Sequence, residues 1–593
     1  METTNTRPKN PGKTLFLGLT VFVLILGVFF RFYQIKEIPL GLYPDEAMNG
    51  SNAQEALATG EFKIFYPENN GREGLFINIQ ALSVWYFGNT PWALRVVSAF
   101  FGTLTILGVF LLAKELFSKP KSQITNTKSQ TNSNNINSKL QTRISNFGFR
   151  ISRGKFIALL SAFLVATSYW HINFSRIGFR AILVPFLSAF GMYFLLKGFR
   201  RGKILDFVWA GIFIGLGFHT YIAFRLMPLV IALPILWYGA RWFWEARNSK
   251  FEIRNNVQNS NATKYCTPCV IALFLLVTFV TALPIGYYFL KHPGDLIGRT
   301  GQVSVFAASS PAYEFAKSNL ATFGMFFVRG DCNARHNLPC APELHPIAAF
   351  FFAFGVVASL RALWRRRGRS FPHLLLLWWA LVMTLPATLT REGLPHALRA
   401  IGMIPPVFIL AGYGGYAFSR WILGLLERAH AKFPNVQKQI LRIAREYSLL
   451  FLLIPLFIPA ATYEQYFLRW VSKPDTYFAF ATDLYHLGQF LDDLPDETKK
   501  YVIVNMAGIE VRGIPMPAQT IMYTTDTFRE EGQRARNTVY LLPEAFDSIP
   551  NNSGRVLITP LNGTDSHLRA RIKQKFPSFR ESAPGDFIVY KNY

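Results

Sequence analysis

Two adjacent carboxylates, Asp45 and Glu46, open the stretch Leu42-Tyr43-Pro44-Asp45-Glu46-Ala47 directly after an apolar block. Asp45 reads as the N-cap of a helix running to about Thr59, with Gly60 as its stop. A helix N-terminus stabilises an ionised carboxylate, which is the form a general base needs. The plain alternative is that Asp45 only caps. Arg72, Arg176, Arg180 and Arg399 are candidate cations for a phosphate, with His396 as a further donor. Arginine suits phosphate because its planar fork makes two hydrogen bonds at once. His396 and Arg399 are three residues apart, which would put them on one helical face. Arg176, Arg180 and Arg399 could equally mark a membrane interface.

A second polar stretch, residues 291–345, holds Asp331, His336 and His345, whose spacing matches no zinc template. No metal and no cofactor are expected, and the stretch reads as an acceptor-binding loop with an interfacial helix over 312–328. Cys332 and Cys340 are expected to form a disulfide, whereas Cys266 and Cys269 read as structural.

The elements that must carry these residues are mostly apolar. The 593 residues are 51% hydrophobic, with the apolar residues in long blocks separated by Lys/Arg clusters. Candidate spans are 14–34, 92–113, 156–171, 181–199, 204–222, 226–243, 266–289, 346–363, 372–389, 400–421 and 447–462. The fold class expected is therefore mainly α, a polytopic membrane protein with about eleven transmembrane helices. The net charge of +27 reads as flanks of membrane helices and not as a nucleic-acid surface. With the N-terminus in the cytoplasm, the inner segments carry roughly twice the Lys and Arg of the outer loops. This layout puts the first loop, residues 35–95, the stretch 291–345 and the C-terminal tail outside a multi-pass cell membrane. Residues 121–153 and 247–264 are Asn/Ser/Lys-rich and read as unstructured insertions. Residues 1–462 read as the membrane domain and 463–593 as a small α/β domain, with strands at 501–505, 537–542, 555–559 and 587–591 and a helix at 565–576.

Residues 43–117 resemble the first outer loop of the protein O-mannosyltransferase and aminoarabinose-transferase group of GT-C glycosyltransferases. Asp45-Glu46-Ala47, Gly60, Arg72-Glu73-Gly74-Leu75, Phe87-Gly88 and Leu94-Arg95 follow the group's order and spacing. The group's Lys-Pro-Pro-Leu turn is here Arg-Glu-Gly-Leu, keeping the charge and losing the prolines. Asn173 to Arg180 is similar to the group's Ser-Arg-x-x-Arg pattern, although Ile182 and Leu183 stand where an Asp is usual. The resemblance implies a GT-C fold and amphipathic helices in the outer-face loop. It implies a polyprenyl-phosphate-linked sugar donor among membrane lipids, and a protein, lipid or glycan acceptor. Asp45 would be the base with Glu46 beside it, and Arg72 would hold the phosphate. The anomeric carbon would be inverted. A transporter or flippase for lipid-linked sugars is the alternative. It would place charge at mid-membrane and show internal repeats, and neither is visible here.

Overall fold

The computed structural model describes residues 11–118, 152–252, 266–296, 304–365, 370–391, 393–432, 457–551 and 554–593. Most of the two predicted insertions, and the predicted span 447–462 up to residue 456, lie outside them.

Among the described residues, eight helices are long and apolar enough to cross a membrane, or nine if one bent pair counts as a span. The chain begins with α1 (Pro11–Phe32), α2 (Pro44–Thr59), α3 (Gly74–Phe87), α4 (Pro91–Phe117), α5 (Arg153–Ala166) and α6 (Tyr169–Ser175). Two predicted spans come out differently. The span expected at 204–222 is a 14-residue helix, Ile204–Gly217, because the chain folds back so tightly that a Cβ on Gly217 would meet the Phe224 ring. The span expected at 156–171 is broken, with α5 and α6 meeting at 60°.

That break obeys the rule that backbone groups in apolar surroundings must find partners inside the protein. The carbonyls of Val165 and Ala166 at the end of α5 accept from the Arg31 guanidinium at 3.2 and 3.1 Å. The carbonyl of Thr167 accepts from the Thr462 hydroxyl at 2.8 Å. Elsewhere small residues let backbones touch. A Cβ on Gly414 would lie 1.8 Å from the carbonyl oxygen of Phe351, so helix Pro346–Trp364 packs directly on helix Ile404–Lys432.

The tail forms a five-stranded sheet in the order β6-β3-β7-β9-β8, comprising β3 (Lys499–Ile503), β6 (Thr538–Leu541), β7 (Val556–Pro560), β8 (Arg580–Ser582) and β9 (Val589–Lys591). β3 pairs in parallel with β6 and β7, and β9 runs antiparallel to β7 and β8. Successive strand residues point to opposite faces. Val502 and Leu557 therefore pack with Leu484, Leu487 and Ile521 on one side. Tyr501, Ile503 and Ile558 pack with Leu568 and Ile572 on the other. Four of these strands fall on the predicted ones, and helix Ser566–Lys575 falls on the predicted 565–576.

The tail docks onto α2. A Cβ on Gly50 would lie 2.3 Å from the Tyr523 ring, the Thr520 hydroxyl donates to the carbonyl of Leu42 at 2.9 Å, and the Tyr523 hydroxyl donates to that of Thr90 at 3.3 Å.

Candidate active site

A cavity of about 880 Å³ opens between the first loop, the segments 331–340 and 390–399, and the tail. It is lined by Asp45, Asn49, Arg72, Glu73, Arg180, Arg225, Arg335, His336, His396 and Arg399, among others.

Asp45 sits in the first turn of α2, two positions after the N-cap. The N-cap is Tyr43, because Pro44 takes the first helical position, where its fixed φ fits and its missing N–H costs nothing. Asp45 still lies at the positive end of the helix. Its Oδ1 accepts from the side-chain amide of Asn69. Gly60 ends the helix in the left-handed region, with φ 77°, as predicted.

Arg72 is brought to α2 by a turn in which Asn69, Asn70 and Gly71 all have positive φ, a conformation that Asn and Gly tolerate best. β1 (Phe65–Tyr66) and β2 (Arg72–Glu73) pair across this turn, so Arg72 enters from a short antiparallel ladder. Gly74 is required there, since a Cβ would lie 2.0 Å from the carbonyl of Lys63. Arg72 donates to Oδ1 of Asn49 at 2.8 Å and to Oδ1 of Asn52 at 2.5 Å. Asp45, Asn49 and Asn52 are spaced i, i+4, i+7, so one stripe of α2 presents the carboxylate and then two amides that hold the guanidinium. Burial lowers the Arg72 pKa to about 10, and neighbouring Arg180 adds to that shift. The group remains a cation at neutral pH.

Arg180 lines the same cavity and pairs with Glu73 at 2.9 Å, and Arg225 reaches the other oxygen of Glu73 at 3.5 Å. Arg335 lies 4.3 Å from the centre of the Tyr43 ring. Its pKa is lowered by burial, while the carboxylates of Asp45 and Asp331 act in the opposite direction. Arg399 lines the cavity and donates to Thr390 at 2.6 Å. His396 and Arg399 do not share a helical face, because 393–400 is a run of bends and turns and the helix starts only at Ile404.

Two predicted site residues lie outside the cavity. Glu46 is fully buried in a two-pronged pair with Arg95, both contacts at 3.1 Å, and also accepts the Gly178 N–H at 2.6 Å. Neighbouring helix residues are about 100° apart, so Asp45 faces the cavity while Glu46 faces the core. Arg176 donates to the carbonyls of Phe30, Gln34 and Ile38 at 3.0–3.2 Å and stacks over Tyr466 and Phe467. It ties down the chain leaving α1. Sequence reasoning missed Asn49, Asn52, Arg225 and Arg335. The helical spacing from Asp45 was a usable signal for the two asparagines.

No family model matches the sequence, and no curated protein matches it. Solved structures do match. ArnT from Cupriavidus metallidurans bound to undecaprenyl phosphate aligns with a TM-score of 0.51 at 13% identity, over 99% of this chain and 98% of that one. The chain shares its fold with ArnT. The apo state of the same protein aligns at 0.49 with 14% identity, covering 98% of both chains. The S. cerevisiae protein O-mannosyltransferase Pmt1-Pmt2 complex bound to the sugar donor aligns at 0.31 with 16% identity, over 53% of this chain and 37% of that one. The expected mainly helical, polytopic fold is thus the observed one, and ArnT shares it along nearly the whole chain, tail included.

On this ArnT-like frame the segment 331–340 is closed by the expected Cys332–Cys340 disulfide, and Cys266 and Cys269 are bonded as well. The loop brings Asp331 and His336 to His396. Oδ2 of Asp331 is 2.9 Å from Nδ1 of His336, 3.8 Å from Nδ1 of His396, and accepts the Ala397 N–H at 2.9 Å. One carboxylate oxygen and two imidazole nitrogens within 4.8 Å of one another could hold a first-row divalent ion. The sequence grouped His345 with Asp331 and His336, with no metal expected there. His345 instead caps helix Pro346–Trp364, accepting the Ile347 N–H. Beside the group, burial pushes the Glu343 carboxyl well above its usual range, and Glu343 accepts the Asp331 N–H at 3.0 Å.

Proposed function

We propose that this chain transfers a sugar from a polyprenyl-phosphate donor to an acceptor hydroxyl at the outer face of the membrane, with inversion at the anomeric carbon. One observation carries the reading: Asp45, a carboxylate in the first turn of α2, shares a cavity with Arg72, Arg180, Arg335 and Arg399.

In this reaction Asp45 takes the proton of the acceptor O–H. The oxygen forms a bond to the anomeric carbon as the bond from that carbon to the phosphate oxygen breaks. The phosphate leaves on the polyprenyl chain with the electron pair. It is a good leaving group and needs cations more than an acid. Arg72, held by two amide oxygens that bring no competing charge, is the principal one, and a general base contributes about 10²–10⁴ in rate. Glu46 and Arg176 act outside this chemistry. Glu46 anchors the first turn of α2 through Arg95, and Arg176 fixes the segment before it.

Incubating the purified chain in liposomes with radiolabelled polyprenyl-phosphate sugar tests the proposal. Release of free polyprenyl phosphate is expected. Vesicle uptake of intact donor without cleavage would replace the enzyme with a flippase. The outer position follows from the Lys/Arg asymmetry, and a reporter fused after Tyr593 should be active only outside the cytoplasm.

A further inference from the structure

The tail reaches into the first loop at one point. β4 (Glu510–Val511) and β5 (Ile514–Pro515) form a hairpin with Arg512 and Gly513 at its turn, at φ 52° and 77°. Its flanks, Ala507 to Ile509 and Met516 to Pro517, line the same cavity as Asp45 and Arg72. From the tip, Nη2 of Arg512 donates to both oxygens of Glu55 at 2.9 Å and to Oε1 of Glu68 at 3.1 Å. The guanidinium also packs 4.3 Å from the centre of the Phe528 ring. Glu55 belongs to α2. Glu68 begins the turn that delivers Asn69 to Asp45 and Arg72 to Asn49 and Asn52, and its carbonyl accepts from Gly71 N–H at 3.3 Å and from Arg72 Nε at 3.4 Å.

We propose that Arg512 is a positioning residue for the phosphate site: from the C-terminal domain it clamps the turn 68–72 onto α2, and so sets the direction in which Arg72 presents its cation. Two carboxylates from separate elements converge on one guanidinium. Removing it leaves Glu55 and Glu68 facing each other with no shared cation, and the turn, whose three left-handed residues offer little stiffness of their own, loses its outer hold. The docked tail is then part of the phosphate site although none of its charged side chains need touch the lipid. The inference rests on Arg72 being the phosphate-holding group in the proposed function.

The test uses the full chain and undecaprenyl phosphate alone as the probe. Arg512→Ala should weaken its binding by about three- to tenfold, and Arg512→Lys should restore part of the loss. Combined with Arg72→Ala, which acts directly, Arg512→Ala should add little, because it works through Arg72. Arg512→Glu should bind worse than Arg512→Ala and regain affinity when paired with Glu68→Lys. A merely structural role for Arg512 predicts lower thermal stability with additive binding losses. Wild-type affinity in Arg512→Ala, or full additivity with Arg72→Ala, overturns the inference while leaving the phosphate site intact. Failure of the wild-type chain to bind the probe at all overturns both.

Discussion

Asn69 donates its side-chain amide to Asp45 across 24 residues of chain, and so joins the start of α2 to the turn that carries Arg72. The residue proposed to accept a proton and the residue proposed to hold the leaving phosphate are thereby fixed to each other through one short turn. Small displacements of that turn should be felt in the chemistry, since misplacement on the order of 1 Å can cost about 10²-fold in rate.

Asp45→Asn keeps the size of the side chain and its hydrogen bond to Asn69 but removes basicity. Turnover in the liposome assay should fall by about 10²-fold or more, with thermal stability nearly unchanged. Near wild-type turnover would remove Asp45 from the reaction and point to a different base.

Arg72→Ala should raise the donor KM as well as lower kcat, because its charge meets the phosphate in both ground and transition states. The wild-type profile carries the same signature. With the Arg72 pKa lowered to about 10 by burial, the cation is complete below that pH and is lost as pH rises through it. Donor affinity should weaken over that window, and a donor KM that stays flat from pH 8 to 11 would exclude Arg72 as the phosphate cation.

Glu46 separates a catalytic from an anchoring role. Glu46→Ala leaves Arg95 buried without its carboxylate partner, a change that costs about 3–5 kcal/mol. A large drop in thermal stability is expected, where Asp45→Asn shows none. If Glu46→Ala is stable and inactive, the carboxylate belongs to the chemistry after all.

Glu343 gives a pH test of the 331–340 loop. Its carboxyl titrates well above the usual range in the fold because of burial. The stabilisation it provides is complete below its unfolded pKa and is lost as pH rises toward the folded value. Glu343→Gln can still accept the Asp331 N–H and cannot ionise. It should melt like wild type at low pH and increasingly above it as pH rises past the ordinary carboxylate range. A melting difference that does not change with pH would mean the carboxyl is ionised in the fold.

That a helix begins near Asp45, that Gly60 stops it and that Arg72 stands in a charged turn were legible because each is determined locally, by an apolar block that ends, a glycine stop and a polar turn. Glu46 was misread because adjacency in sequence gives proximity without direction. Arg176 was misread for a related reason: its partners are backbone carbonyls 138 to 146 residues away, and a sequence does not display them. Arg225 meets Glu73, and Arg335 packs on Tyr43, only once distant segments converge on the cavity. In the tail, the β-branched and aromatic runs of β3, β6, β7 and β9 stand out. The strand Arg580–Ser582 does not, being polar and exposed along an edge. The bend between α5 and α6 was hidden because the chain on both sides of it is apolar, and the groups that make it tolerable, Arg31 and Thr462, lie elsewhere.

Glu73, shared between Arg180 and Arg225, gives the cavity a resident anion of its own. An arriving phosphate that draws on either arginine must take it partly from that carboxylate, so the net gain on binding is smaller than the number of cations suggests. The same carboxylate recovers its partners when the phosphate departs. In the proposed reaction the vacated cavity would then relax into paired charges and would not strand two guanidinium groups side by side, which would favour release of the lipid product and ready the cavity for the next donor.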